Sequence, residues 1–141
     1  CSIVKLSEVA KIDSKGRITI PLIMRESLGL FEGMYVLLIA DTESREIILT
    51  PIFPPSAELL EIKIELKDVP GALAEVATKF ADLKIDMVVN RCAAVKRGET
   101  AECLIIVDIS KSHIDNIEKL KLELNSLPVV KYVEVRRLVK K

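Results

Sequence analysis

The sharpest alternation of apolar and polar positions runs from Leu60 to Leu66, where Leu60, Ile62, Ile64 and Leu66 share one face and Glu61, Lys63 and Glu65 the other. A period of two residues predicts a strand with one face buried. Beyond it, Leu73, Val76, Ala77, Phe80 and Leu83 recur at helical spacing, predicting an amphipathic helix from Ala72 to about Lys84. Ile85 to Val95 and Glu102 to Ile109 read as two strands that turn through Lys96-Arg97-Gly98-Glu99. A second helix carries Ile114, Ile117, Leu120, Leu124 and Leu127 on one face, with Ser112 and Asp115 placed as a capping pair. Pro128 ends it, and Val129 to Val139 forms the last strand. The order is βαββαβ, the split ferredoxin-like arrangement. In Cys103 to Ile109 both alternating faces are apolar, whereas a sheet with helices on one side shows a polar second face. That predicts a partner over the uncovered face.

The earlier residues follow a different pattern. Val9 to Asp13 and Arg17 to Ile20 read as two strands around Ser14-Lys15-Gly16, where glycine supplies the positive φ of a tight hairpin. Pro21 suits the first position of a helix and Gly29 the residue just past its end, which limits that helix to Leu22–Leu28. Tyr35 to Ala40 and Glu46 to Thr50 then read as strands joined by the polar turn Asp41 to Ser44. A unit of this size is marginal alone, since domains below roughly 60 residues bury too little surface, so dimerisation is the expected remedy. Between the two patterns, Thr50 to Glu58 holds three of the six prolines within five residues, a stiffness that strands and helices both resist. The expected organisation is a first domain over 1–52, a linker over 53–57 and a second domain over 58–141, α+β in class.

Composition narrows the function. Of 141 residues, 50% are hydrophobic and 30% charged, which suits a folded protein rather than a disordered one. Basic and acidic residues both number 21, so there is no overall basic excess of the kind that marks a nucleic-acid binder. The distribution is nevertheless polarised. Lys5, Lys11, Lys15, Arg17 and Arg25 face only Glu8 and Asp13 up to residue 25, whereas from Glu26 to Glu46 Arg45 alone stands against five acidic residues. No apolar run approaches the ~20 residues that span a bilayer and no signal peptide is visible, so a soluble, cytoplasmic protein without a membrane partner is expected. The absence of glutamine is a bias shared with thermophiles.

Cys1, Cys92 and Cys103 form no CxxC spacing and are odd in number, which fits a reducing compartment with thiols used as small apolar residues. Cys92 and Cys103 are equidistant from a two-residue Arg97-Gly98 turn, which sets them opposite each other across the hairpin. A pair of adjacent buried thiols is the expected state, with a disulfide or soft-metal site as the alternative. His113 is the only histidine. With no nucleophile motif and no metal-ligand cluster, neither catalysis nor a bound metal or cofactor is expected.

The stretch "KIDSKGRITIP…RESLGLFEGMYVLL…REIILTP" resembles the AbrB/SpoVT swapped-hairpin family, also called MazE-like. The resemblance covers about Val9 to Pro51 and rests on Asp13, Lys15, Gly16, Arg17, Ile18, Ile20, Pro21, Arg25, Leu28, Gly29, Gly33 and Val36. It implies a homodimer, or a higher even oligomer, whose interleaved hairpins close a β-barrel. It also implies a DNA-binding face built from Lys11, Lys15, Arg17 and Arg25. Arginine can fork onto phosphate or guanine, and lysine acts as a point charge. Leu22 and Ile23 depart from the family, which usually places polar or charged residues in this first helical turn.

Between the first strand and first helix of the second domain stands Asp68-Val69-Pro70-Gly71-Ala72-Leu73. As a bare βα turn, it uses Pro70 to fix φ and Gly71 for close backbone approach. Free amides at the helix start, beside a residue with no side chain, also suit a carboxylate, and Asp68 is placed to meet an amine. In its βαββαβ context the segment resembles an ACT domain over about Glu58 to Leu138, which implies a small-molecule effector, an amino acid above all, held at a dimer interface. The family's ligand lies between this turn and the start of the second strand, where an asparagine is usual and Asp86 stands here. The ligand set so implied is Asp68, Pro70, Gly71, Ala72, Leu73 and Asp86.

Together the two resemblances imply a transcriptional regulator with a DNA-holding domain and a ligand-sensing one. Two alternatives follow from the same residues. Swapped-hairpin domains also serve as antitoxins that bind a protein, and ACT domains also act as regulatory subunits of metabolic enzymes, in which case the first domain is only a dimeriser.

Overall fold

The computed structural model describes residues 5–52 and 56–138. It is α+β, with three helices and two antiparallel sheets among those residues, and divides into two compact units, Cys1–Pro55 and Ser56–Lys141. No described helix is long and apolar enough to cross a membrane.

The first unit contains helix α1 (Leu22–Leu28) and the hairpin of β1 (Val36–Asp41) and β2 (Glu46–Pro51). Its opening segment forms the expected tight turn, in which the Asp13 amide donates to the Arg17 carbonyl and the Gly16 amide to the Asp13 carbonyl, both at 3.0 Å. Gly16 sits at φ +76°, where a side chain would be strained. The two arms of that turn are not strands, contrary to expectation: among the described residues neither finds a ladder partner and no barrel closes. Beyond the Asp13–Arg17 bond the arms make no backbone hydrogen bond to each other, and β1 and β2 pair only with each other. Pro21 is the N-cap of α1 rather than its first helical residue, and its carbonyl accepts from the amides of Met24 and Arg25. Gly29, left-handed at φ +69°, ends the helix as expected. α1 buries none of its side chains, and β1 buries only Leu37 and Ile39.

The second unit runs β3 (Leu59–Lys67), α2 (Ala72–Asp82), β4 (Asp86–Lys96), β5 (Thr100–Asp108), α3 (Ile117–Asn125) and β6 (Val130–Arg137). Its sheet has the order β4-β5-β3-β6 with every neighbour antiparallel, compatible with a ferredoxin-like fold. The alternating residues Leu60, Ile62, Ile64 and Leu66 join Cys103, Ile105 and Val107 of β5 in one core cluster. α2 fills that cluster from above with Ala72, Val76 and Phe80, spaced four apart, and α3 with Leu120 and Leu124. At ~1.5–3 kcal/mol per fully buried aliphatic or aromatic side chain, this core gives the unit a stability the first lacks within one chain.

One expectation needs correction here. α3 starts at Ile117, capped by Asn116, whose side-chain oxygen accepts from the Lys119 amide at 2.8 Å. Ser112 is committed elsewhere: its hydroxyl donates to the Leu83 carbonyl at 2.5 Å and accepts from the Ile114 amide. The sheet face away from the helices carries Glu61, Lys63 and Glu65, with Glu61 held bidentately by Arg136 across the strand pair. Of the β5 residues on that face, Ile106 is 1% exposed and Leu104 half-buried within a single chain.

Candidate nucleic-acid interface and ligand turn

Chain curvature at the first turn is set by Asp13. Its carboxylate accepts from the Lys15 amide (2.8 Å), the Arg17 amide (2.9 Å) and Arg17 Nε (2.8 Å). These bonds, the one from the Arg17 backbone above all, lower the Asp13 pKa from its ordinary 3.8. The four residues expected to meet DNA therefore divide in two. Arg17 and Arg25 are partly spent on the protein itself, Arg17 on Asp13 and Arg25 through Nε on the Ile20 carbonyl at 2.8 Å. Each keeps its terminal guanidinium nitrogens free of hydrogen bonds among the described residues. Lys11 and Lys15 are exposed with no ion-pair partner among those residues, so their charge is wholly available.

Beside this turn lies an apolar groove of about 270 Å³, bounded by Ala10, Ile18, Ile20, Pro21, Met24 and Leu28 together with Glu8, Leu30 and Leu49. The residues next to it are unusually exposed for their kind: Val9 is 98%, Ile12 69% and Ile18 56% exposed. A length of extended chain would satisfy both the groove and the unpaired arm amides. Sequence reasoning located the arms by their alternation. It missed the groove, because α1 and β2 contribute Met24, Leu28 and Leu49 from distant positions.

In the second unit, the Asp68–Leu73 turn is compact. The Val69 amide donates to the Lys67 carbonyl (2.9 Å) and the Ala72 amide to the Val69 carbonyl (3.2 Å). The amides of Gly71, Leu73 and Ala74 have no acceptor among the described residues, the usual condition of a helix start. Gly71 lies at φ +85°, and a Cβ there would meet nothing within 4 Å. The turn needs glycine for its left-handed backbone and not, as expected, for close approach. Asp68 does not point a free carboxylate outward, since its Oδ2 accepts from the Gly98 amide at 2.7 Å and its own amide donates to the Glu99 carbonyl at 3.2 Å. It ties the tip of the β4–β5 hairpin to the start of α2.

Asp86 is not brought to this turn within one chain. Through the ladders it aligns with Asp108 and then Leu59, at the beginning of β3, whereas the turn follows Lys67 at the other end. Eight steps at ~3.4 Å separate the two by about 27 Å along the sheet. A ligand that touched both would need a second chain.

The two cysteines fall opposite each other as the turn arithmetic required, Cys92 pairing with Cys103. They are not the buried thiols expected. They form a disulfide with Cα atoms 4.0 Å apart, and Cys92 is exposed on the edge strand β4 while Cys103 is 4% exposed. His113 is exposed, and no group of three or more metal-ligating side chains occurs among the described residues. No protein-family model matches the chain, and no characterised protein matches it in sequence.

Proposed function

We propose that the chain is a homodimeric DNA-binding transcriptional regulator whose second unit senses a small carboxylate ligand, an amino acid being the class that suits its turn. It has no catalytic role in this reading. The observation that carries the proposal is the state of the first unit. A well-formed turn holds two extended arms with no ladder partner among the described residues, next to an apolar groove. Two uncommitted lysines stand on the same turn. Arms from a second copy would supply the missing strands, and the two-fold axis would set two such turns side by side. Four uncommitted lysines on one face make a local potential suited to phosphates even though the whole chain is neutral. In the second unit, three unsatisfied amides at the start of α2 support a carboxylate ligand.

The test is DNA binding by fluorescence anisotropy against salt concentration. For ~6 phosphate contacts per dimer, affinity should fall on the order of 10³-fold between 50 and 200 mM salt. Replacing Lys11 and Lys15 together by Glu should abolish binding at every salt concentration. No binding at low salt by the intact protein, or binding unaltered by the double replacement, refutes the proposal and leaves the first unit as a dimeriser alone. For the second unit, a panel of amino acids is screened by thermal shift. A stabilising member should lose its effect in Gly71→Asp, which strains the turn and sets a carboxylate against the ligand's.

A further inference from the structure

We infer that Cys92–Cys103 is a thiol–disulfide exchange site and that its redox state sets the rigidity of the hairpin tip on which the Asp68 turn rests. The exchange stands whether or not that turn holds a ligand.

Three placements carry the inference. First, the two sulfurs are unequally accessible. Cys92 lies at the middle of β4, an edge strand with only β5 beside it, and is exposed, while Cys103 is buried in the helix-facing core cluster. An attacking thiolate therefore reaches the Cys92 sulfur and expels Cys103. Second, a receptor for the reduced form is in place: Asn90 Oδ1 lies 3.1 Å from Cys92 Sγ, where it can accept a hydrogen bond from the thiol but gains none from a disulfide sulfur. Third, the bond closes the hairpin whose tip makes contacts elsewhere. The cysteines are eleven positions apart, and within that span the Gly98 amide donates to Asp68 Oδ2 while the Glu99 carbonyl accepts from the Asp68 amide. From Arg91 to Glu99 every residue is exposed, so little packing holds the tip once the cross-link opens.

The step balances with a dithiol as co-reactant. One thiolate of the dithiol forms a mixed disulfide with Cys92 as Cys103 leaves and takes a proton. The second thiol displaces Cys92, which is protonated in turn. Two electrons and two protons pass to the protein and the dithiol closes to its own disulfide.

The experiment uses the full-length chain, equilibrated without denaturant in buffers of reduced and oxidised dithiothreitol, then quenched with acid and labelled with a maleimide in denaturant. Peptide mapping should place two labels on Cys92 and Cys103 in the reduced buffers and none in the oxidised, with full recovery when the buffers are exchanged. Hydrogen exchange of the Gly98 and Glu99 amides should be at least about tenfold faster in the reduced protein, within the on-the-order-of hundredfold expected for losing a cross-link of this span. Cys92→Ser and Cys92→Ala should both show the faster exchange and no dependence on the buffer. A disulfide that yields only in denaturant, Cys92 and Cys103 that stay labelled in fully oxidising buffer, or equal exchange at Gly98 and Glu99 in the two redox states would each overturn the inference.

Discussion

Ile18→Asp separates an interleaved dimer from a self-contained first unit. In one chain Ile18 lines the groove and is 56% exposed. A charged substitution at so exposed a position in a monomer is worth within ±0.5 kcal/mol. If a second copy's arm fills the groove, the exposed part of Ile18 is buried on association. Full burial of an isoleucine contributes about 1.5–3 kcal/mol, so a little over half of it is worth roughly 1–1.5 kcal/mol per copy. The two-fold axis counts this twice, giving roughly 2–3 kcal/mol, or a dissociation constant some ~30- to 150-fold larger at tenfold per 1.4 kcal/mol. Burying the carboxylate adds to that figure.

The assay reads the arms directly. The amides of Val9 to Ile12 and Ile18 to Ile20 make no hydrogen bond among the described residues, so they gain protection from exchange only by pairing with another chain. Their protection should appear with rising protein concentration, and Ile18→Asp should move the midpoint upward at least about thirtyfold, the low end of the estimate above. Thr19→Asp adds the same charge to the same arm without touching the groove and should leave the midpoint in place. Arms that exchange freely at every concentration, a shift under about threefold, or an equal shift from Thr19→Asp would refute the reasoning.

In the second unit, Phe80 is 1% exposed at the centre of the core, so Phe80→Ala should cost about 3–5 kcal/mol in urea denaturation, and a loss under 1 kcal/mol would mean that the cluster is not what holds the unit. The Asp13 pKa is lowered on folding, so its contribution to the turn is complete above the ordinary value of 3.8 and is lost as pH falls through the lower folded value. A carboxyl NMR titration should place its midpoint below 3.8 and move it upward in Arg17→Ala, which removes the side-chain bond and leaves the two backbone ones; a midpoint at or above 3.8 in the intact protein refutes this.

The second unit was legible because its signals are local. Leu60 to Leu66 alternate strictly and Val76 and Phe80 recur one helical turn apart, so strand and helix follow from period alone. The start of α3 was misread because Ser112 and Asn116 are both good caps, and only the fold shows Ser112 bonded to Leu83, twenty-nine residues away in sequence. The same holds for Asp68, whose partner Gly98 lies thirty residues on. In the first unit the turn, α1 and the second hairpin were readable, but strand character in the arms was not confirmed. A strand is a property of a pair, and neither arm has a ladder partner among the described residues. The disulfide was half legible: arithmetic on Cys92 and Cys103 gave their juxtaposition, while the exposure of Cys92 depends on β4 being an edge, which only the strand order reveals.

The commitment of Asp68 sets a condition on any amino-acid effector. The turn offers a carboxylate three unsatisfied amides, and Asp68 beside them already accepts from the Gly98 amide at 2.7 Å through Oδ2. A ligand ammonium that took Oδ2 would compete with the Gly98 amide, but Oδ1 accepts no hydrogen bond among the described residues and can meet the ammonium without that loss. A hydrogen bond to a charged group contributes about 1.5–3 kcal/mol. An amino acid that binds this turn should therefore bind at least about tenfold tighter than the corresponding carboxylic acid without the amine, since 1.4 kcal/mol separates a factor of ten. Isothermal titration of the pair decides it, and the Gly98 amide should keep its exchange protection on binding. An amine worth less than about threefold would mean that Asp68 stays closed to the ligand.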